Sequence, residues 1–583
     1  MSRSASFALL CLLTLAGCRG AGPASDDGVG ESPAPPLPGF QFNDVSREAG
    51  VSEIMLIGGA ETVDYIIGSL GTGGAWLDYD GDGDADLYLA QGARPPEPYS
   101  GPPDKLLRND GDTDDDGVPS FTDVTEIAGL GDTLWSFGVA VGDYDNDGDP
   151  DIYLTNWGPN RLYRNNGDRT FSEIAEAAGL ADPNWGVTSA WSDYDRDGDL
   201  DLYVTNYVEF TYERYPARGD PLPDGRPPCM WRGIEVYCGP RNLLPEPDVF
   251  FRNDGDPDGD GVPRFTDVTR EAGLLTEEAY FGLGVRFFDA DGDGDDDLYV
   301  ANDSLQNAYF INRGDGTFVD TSILAGVAYN EQGDEQAGMG IGIGDYNRDG
   351  MLDLAVSNFS HDHDTLYRND GRGLFTDVSY IAGIGTPSYL TLGWGIGFLD
   401  LDQDGLEDLF VSHGHVYPQV DLKELGTTYR QRNSLFRNLG NGTFDPVEER
   451  AGPGMQLVKA SRMLLPLDFD HDGDLDLLLT SLNDTPDLLR NDGATGNWLQ
   501  VRLTGTRSNR DGIGARVLIE AGGRSQIREI RRTTGIMAST LPVAHFGLGS
   551  ATTVDRLLVR WPSGTATERT GVEANQRLTI QEE

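Results

Sequence analysis

Basic residues are scarce in this chain: 43 Lys and Arg stand against 97 Asp and Glu, for a formal net charge of −54 over 583 residues. That balance excludes nucleic acid as the expected partner and favours cations. No apolar run reaches membrane-spanning length. The N-terminal stretch from Phe7 to Ala16 falls well short of the roughly 20 residues a spanning helix needs. There is no G-x-S-x-G, H-E-x-x-H or P-loop sequence, so the hydrolase, metalloprotease and nucleotide chemistry those motifs carry has no motif here. Cysteine is limited to four residues, too few for a disulfide-built scaffold.

What the chain has in abundance is one acidic loop, D-x-[DN]-x-D-G-x-x-D, written seven times and followed each time by an apolar run. Position one is Asp78, Asp143, Asp193, Asp289, Asp345, Asp400 and Asp468. Position three is Asp80, Asp145, Asp195, Asp291, Asn347, Asp402 and Asp470; position five is Asp82, Asp147, Asp197, Asp293, Asp349, Asp404 and Asp472. Position nine is Asp86, Asp151, Asp201, Asp297, Asp353, Asp408 and Asp476. Hard cations such as Ca2+ take about six to eight oxygens, which a loop of this kind largely supplies. Positions one, three, five and nine offer side-chain oxygens. Position seven, occupied by Asp84, Asp149, Asp199, Asp295, Met351, Leu406 and Asp474, is expected to offer its backbone carbonyl. Two carboxylates about 5 Å apart repel by roughly 3 kcal/mol at an effective dielectric of 20, so an empty loop pushes itself apart. About seven calcium sites are expected, the fifth weakened by the neutral Asn347.

These loops are not EF-hands. An EF-hand places a bidentate Glu at position twelve and then a helix. Here position twelve is apolar throughout: Leu89, Leu154, Val204, Val300, Val356, Val411 and Leu479. The runs that follow the ninth Asp, such as LYLA, IYLT and LFVS, read as strands. A second segment, F-x-D-V-like, recurs at Phe42, Phe121, Phe171, Phe265, Phe318, Phe375 and Phe444. A third ends at Asn109, Asn165, Asn253, Asn312, Asn369, Asn438 and Asn491. Seven copies of three segments predict an all-β fold, a seven-bladed β-propeller. The Phe42 segment precedes the first acidic loop and none follows Asn491. The first strand is therefore expected to complete the last blade, which removes both free sheet edges.

The predicted organisation is a signal peptide at 1–17, a flexible tether at 18–39, the propeller at 40–494 with an insertion at 207–247, and a small β-sandwich at 495–583. Arg3, a short apolar core and LAGC ending at Cys18 resemble a bacterial lipobox, so Cys18 is expected to be lipidated and the protein exported and membrane-anchored. Cys229 and Cys238 share the insertion, and export favours their disulfide. The insertion also carries Tyr207, Phe210, Tyr212, Tyr215, Trp231 and Tyr237. Two readings stand for it: a surface for protein or carbohydrate contact, or a stapled flap on its own blade.

The repeat resembles the FG-GAP (VCBS) repeat of integrin α-subunit propellers. The segment NWLQVRLTGTRSNRDGIGARVLIEAGG, followed by HFGLGSATTVDRLLVRWPSG, resembles the ASPIC/UnbV domain. Together they are similar to bacterial members of the cartilage acidic protein family. Animal members carry an EGF-like calcium module whose usual three disulfides four cysteines cannot supply, so nothing that depends on that module carries over. The resemblance implies a calcium-binding surface module that recognises protein or polysaccharide. The alternative is a carbohydrate-active enzyme such as a polysaccharide lyase.

Lesser features complete the reading. Asp112, Asp114 and Asp116, and likewise Asp256, Asp258 and Asp260, repeat half the motif without the ninth Asp and are weaker accessory candidates. His361 with His363, and His413 with His415, have the i, i+2 spacing that shares one strand face, yet no third ligand stands at usual spacing, so polar loop-end histidines are expected. From Gly496 to Glu583 the chain has 12 Arg against 8 acidic residues. There Arg528, Arg531 and Arg532 are expected to form a solvated face, with docking on the acidic propeller or contact with an anionic glycan as the other readings.

Overall fold

Aromatic and β-branched runs of four to eight residues, separated by acidic Gly-containing turns, can satisfy their backbone only by pairing with one another. In the computed structural model, which describes residues 37–59, 62–94, 101–113, 116–275 and 279–583, they do so as seven antiparallel sheets. Cys18, the signal and tether residues before 37, and Asp114 lie outside the described residues.

Blade 2 shows the pattern. Its inner strand Trp135–Gly142 pairs with Asp151–Trp157, then Arg161–Asn165, then the short outer strand Phe171–Glu173. The acidic loop joins the first strand to the second. Every residue of the inner strand is buried, because each blade is covered on both faces by its neighbours. Val139, Val141, Ile152 and Leu154 of blade 2 pack with Ala75, Leu77 and Tyr88 of blade 1. The outer strand buries one residue, Phe171, which is why the F-x-D-V segment recurs with Phe at its head.

The ring closes as expected. Phe42–Asp44 is the outer strand of the last blade, with Phe42 opposite Asn491 and Asp44 opposite Leu489. Phe40 and Phe42 enter the core beside Leu464, Leu477 and Leu489.

The C-terminal segment forms two facing sheets. One holds Val543–Gly549, Asn497–Thr504 and Gln576–Gln581; the other holds Arg524–Glu529, Arg516–Ala521, Thr553–Arg560 and Ala566–Glu573. Their inner faces share a core that includes Val501, Val517, Phe546, Leu557 and Trp561. This is the expected sandwich, but it is not a detached appendage. Strands Thr533–Thr534 and Ala538–Ser539 form a hairpin that adds to blade 1, Ala538 and Ser539 pairing in parallel with Gly74 and Ala75. Its tip fills the propeller axis. Ile536 and Met537 are fully buried among Phe137, Val187, Leu283 and Trp394, which come from the inner strands of four blades. Met537 O accepts the Val139 N–H at 3.2 Å, and Gly535 O accepts the Ile341 N–H at 3.1 Å. A Cβ at Gly73 would stand 1.9 Å from Met537 O, so the approach requires glycine there.

The arginines beside the hairpin are docked, which corrects the expectation of a solvated face. Arg531 is ion-paired to Asp296 of the propeller, with Nη1 2.8 Å from its Oδ2, and Arg528 lies 3.3 Å from Glu407. Arg532 is paired with Asp511 of its own domain at 2.6 Å.

The insertion covers the opposite end of the axis. Cys229 and Cys238 are disulfide-bonded. Tyr207, Phe210 and Tyr237 join one apolar cluster with Ile67, Trp135, Trp185, Trp394 and Tyr417. The flap therefore spans several blades rather than its own alone, with Arg218 on Asp64 at 3.1 Å and Arg241 on Glu335 at 2.9 Å.

Removing residues 1–51 is expected to strip the outer strand from the last blade and cause aggregation through its open edge, whereas removal of 1–36 leaves solubility and melting unchanged. Sedimentation and thermal melting of the two truncations decide it; equal behaviour would refute closure by this strand.

Candidate functional site

The seven acidic loops share one backbone shape. The glycine at position six has positive φ in every copy, from +85° at Gly405 to +103° at Gly148, a conformation that other residues adopt at a cost. Position four is also left-handed throughout, at Gly81, Asn146, Arg196, Gly292, Arg348, Gln403 and His471. Nothing in the motif as read from sequence marks position four, because its residue types vary.

The ninth Asp ties the loop to the rest of its blade. In all seven copies its Oδ1 accepts the backbone N–H of the Asn that ends the third strand: Asn109, Asn165, Asn253, Asn312, Asn369, Asn438 and Asn491, at 2.8–2.9 Å. That Asn then reaches into the preceding blade. Nδ2 of Asn165 donates to Tyr79 O at 3.0 Å, of Asn312 to Tyr194 O at 2.9 Å and of Asn438 to Tyr346 O at 2.8 Å. The acceptor in each case is position two of the neighbouring acidic loop. Position five closes the turn itself, its Oδ1 accepting the N–H of position seven, as in Asp82 with Asp84 at 3.0 Å and Asp472 with Asp474 at 2.9 Å.

The remaining carboxylate oxygens converge. Asp78, Asp80 and Asp86 bring one oxygen each within 4.8 Å of one another, as do Asp143, Asp145 and Asp151. So do positions one, three and five of three further loops: Asp193, Asp195, Asp197; Asp289, Asp291, Asp293; and Asp400, Asp402, Asp404. Several of these oxygens are buried without a hydrogen-bond partner: Oδ1 of Asp78, Asp80, Asp143, Asp400 and Asp468, and Oδ2 of Asp151, Asp201 and Asp353. Buried acceptors left unpaired are costly. A hard cation satisfies several at once, so this donor set fits Ca2+.

Electrostatics point the same way. Burial, with neighbouring carboxylates adding to it, raises Asp86 to about 8 and Asp353 to about 9. The same causes hold Asp151, Asp201 and Asp476 well above the usual carboxylate range. Without a cation these groups resist ionisation.

The other candidates part company. Asp256 accepts the N–H groups of Gly259 and Gly261 at 2.8 Å, but Asp260 is ion-paired to Arg264 at 2.7 Å, leaving fewer free oxygens. Asp112 accepts the Gly117 N–H at 2.9 Å and Asp116 the Val118 N–H at 2.9 Å. His413 and His415 are not polar loop-end residues: both are fully buried, and burial lowers them to about 4 and about 3. They do not act as a pair, since His413 Nε2 meets Ser434 Oγ at 3.0 Å and His415 Nε2 meets Ser360 Oγ at 2.9 Å. His361 is bonded to Leu425 O at 3.0 Å, and His363 lies 3.6 Å from Asp362.

A cavity of about 290 Å3 lies under the flap, at the end of the axis away from the loops. Trp231, Tyr237, Phe359 and Tyr417 line it together with Asp303 and Asp362. Tyr207 Oη hydrogen-bonds to the half-buried Asp303 at 2.5 Å. Among the described residues, no helix is long and apolar enough to cross a membrane.

The family model described as FG-GAP-like repeat matches residues 78–154, 143–204, 289–356 and 345–411, and the model described as ASPIC and UnbV matches 505–583. Cartilage acidic protein 1 of Mus musculus is 30% identical over 333 residues, which cover 55% of this chain and 48% of that protein. The Homo sapiens protein is 30% identical over 321 residues, covering 53% and 45%. The chain thus spans about half the length of the curated relatives it matches. Among solved structures, an Agrocybe aegerita lectin specific for non-reducing terminal N-acetylglucosamine is 17% identical with a TM-score of 0.37, over 71% of this chain and 87% of the lectin. Repeats, C-terminal domain and sequence identity agree: the chain belongs to the cartilage acidic protein family.

Proposed function

We propose that the protein is an exported surface recognition module whose acidic loops hold Ca2+ in a structural role. The observation that carries this is the set of buried, unpaired carboxylate oxygens converging within the loops, while the opposite oxygen of each ninth Asp is fixed by a strand-ending Asn. Positions one, three, five and nine would supply side-chain oxygens and position seven its carbonyl, with Asn347 making the fifth loop the weakest. The cation would neutralise the loops and lock the turn between the first two strands of each blade. Because it binds the folded loops alone, it stabilises the fold by linkage, by roughly 1.4 kcal/mol per site at ten times Kd. Excess EGTA should lower the melting temperature by at least about 5 °C; superimposable melting curves with EGTA and with Ca2+ would refute the structural role.

The recognition site we assign is the cavity beneath the flap. Six aromatic rings beside three carboxylates combine apolar faces with hydrogen-bond acceptors, the chemistry that holds a sugar ring or a polar peptide side chain. Trp231 is its half-buried wall, packed on Phe359 at 5.9 Å and His415 at 5.2 Å between ring centroids. A glycan array should return binders whose affinity falls tenfold or more in Trp231→Ala. Retention of all binding by that variant would place recognition elsewhere.

Export and anchoring rest on the residues around Cys18. Stable anchoring requires more than one acyl chain, as bacterial lipoproteins carry. Cys18→Ser should move the protein from the membrane fraction to the soluble fraction and abolish labelling by a palmitate analogue. Recovery of the wild-type protein as a soluble, unlabelled species would argue for plain secretion.

A further inference from the structure

The C-terminal domain sits on the face that carries the acidic loops, and it reaches their position-one carboxylates with neutral donors. Gln500 Nε2 donates to Asp468 Oδ2 at 2.7 Å, the Gly547 N–H to Asp400 Oδ2 at 2.9 Å, and Asn509 Nδ2 to Asp193 Oδ2 at 3.5 Å. In Asp400 and Asp468 the other oxygen, Oδ1, is buried and has no partner. Gln500 is itself buried, at 7% exposure. Its amide is held in turn, Oε1 accepting from Arg577 Nε at 3.1 Å, and Arg577 Nη2 also reaches Asp468 Oδ2 at 3.0 Å. The domain also brings charge, through Arg577 at Asp468 and through Arg516, whose Nη2 lies 3.2 Å from Asp289 Oδ2. Among the described residues, no hydrogen bond from the domain reaches the side chains of Asp78 or Asp345.

A carboxylate that is free to rotate points its oxygens in many directions, and binding a cation must first fix it. The loop's own Gly473 N–H already bonds Asp468 Oδ2 at 3.1 Å, and the Gly405 N–H bonds Asp400 Oδ2 at 3.1 Å; an amide donor added to the same oxygen fixes the plane further and holds the other oxygen toward the loop. At Asp400 the donor is a neutral backbone N–H, whereas at Asp468 the amide shares its oxygen with the Arg577 guanidinium. Groups that orient metal-ligating side chains in this way are commonly worth 10–100-fold in metal affinity.

We infer that the C-terminal domain forms the outer part of the third, sixth and seventh cation sites, with Gln500 a positioning residue for the seventh, so that calcium affinity and the seating of the hairpin are one linked equilibrium. The inference rests on the calcium reading above. Linkage makes the coupling mutual: whatever the seated domain adds to calcium affinity, calcium adds to its seating. Arg531 and Arg532 immediately precede the hairpin, with side chains only 14% and 4% exposed. Trypsin cleavage after them therefore reports unseating.

The test uses the full chain and Ca2+ itself. Calorimetric calcium titrations compare wild type, Gln500→Leu, Asp468→Asn and the double variant, with trypsin cleavage at Arg531 and Arg532 scored at each concentration. Gln500→Leu should weaken one calcium tenfold or more, add nothing in the Asp468→Asn background, and raise the calcium concentration that protects Arg531 and Arg532. In EGTA its melting curve should coincide with that of wild type. A wild-type isotherm for Gln500→Leu overturns the inference, as does an equal loss of melting temperature in EGTA and in Ca2+, which would mark a packing role. Absence of calcium binding by wild type is a separate result, which would refute the calcium reading itself.

Discussion

The ninth-position aspartate is the constraint on which the rest of the propeller depends. One of its oxygens is committed to the backbone N–H of the Asn that ends the third strand, in all seven blades. In six of the seven, all but Asn109, the same Asn side chain bonds the acidic loop of the preceding blade. A single residue type thus fixes the loop within its blade and, through the Asn, the spacing between blades. Because the carboxylate is buried, it is expensive to leave half-satisfied. The loop and the blade interface are therefore one structure, and what happens at a loop is felt by its neighbours.

Both ends of the axis are covered, by unrelated means. On the loop face the C-terminal hairpin supplies Ile536 and Met537 as an apolar plug and extends blade 1 by two strands. On the other face the disulfide-bonded flap lays its aromatic side chains across several blades. Charge complementarity supports the first closure: the arginine-rich C-terminal domain meets the acidic rim through Asp296, Glu407, Asp468 and Asp289. Without that domain the rim would lose four compensating arginines, Arg516, Arg528, Arg531 and Arg577.

Much of this architecture is legible in the sequence because repetition makes weak signals additive. The blade number, the strand that closes the ring and the glycine at position six all follow from patterns that recur in register. Position four was not legible, since Gly, Asn, Arg, Gln and His all adopt the left-handed turn there and no shared residue type marks it. The plug was hidden for the opposite reason. Thr533 to Ser539 occurs once, and its apolar tip, Ile536 and Met537, is too short to separate from an ordinary strand. The buried histidines were misplaced because i, i+2 spacing describes a strand face and says nothing of what a flap from another part of the chain lays over it. Likewise Gln500 in LQVRLTG looks like any sandwich residue until the partner domain is in place.

The hairpin and the closing strand together set the order in which the molecule can be made. Phe42 pairs with Asn491, and Gly74 pairs with Ala538, so the first and last blades are each completed by residues from the far end of the chain. Non-local pairing of this kind gives a high contact order and slow, late consolidation. During synthesis the strand that seals blade 7 emerges first and stands unpaired until Asn491 follows it, and the hairpin that fills the axis emerges only after every blade. Such open edges are the surfaces on which folding intermediates associate wrongly. The dense negative charge on every loop works against that association by self-repulsion, so the acidity that characterises the finished ring also guards the unfinished one.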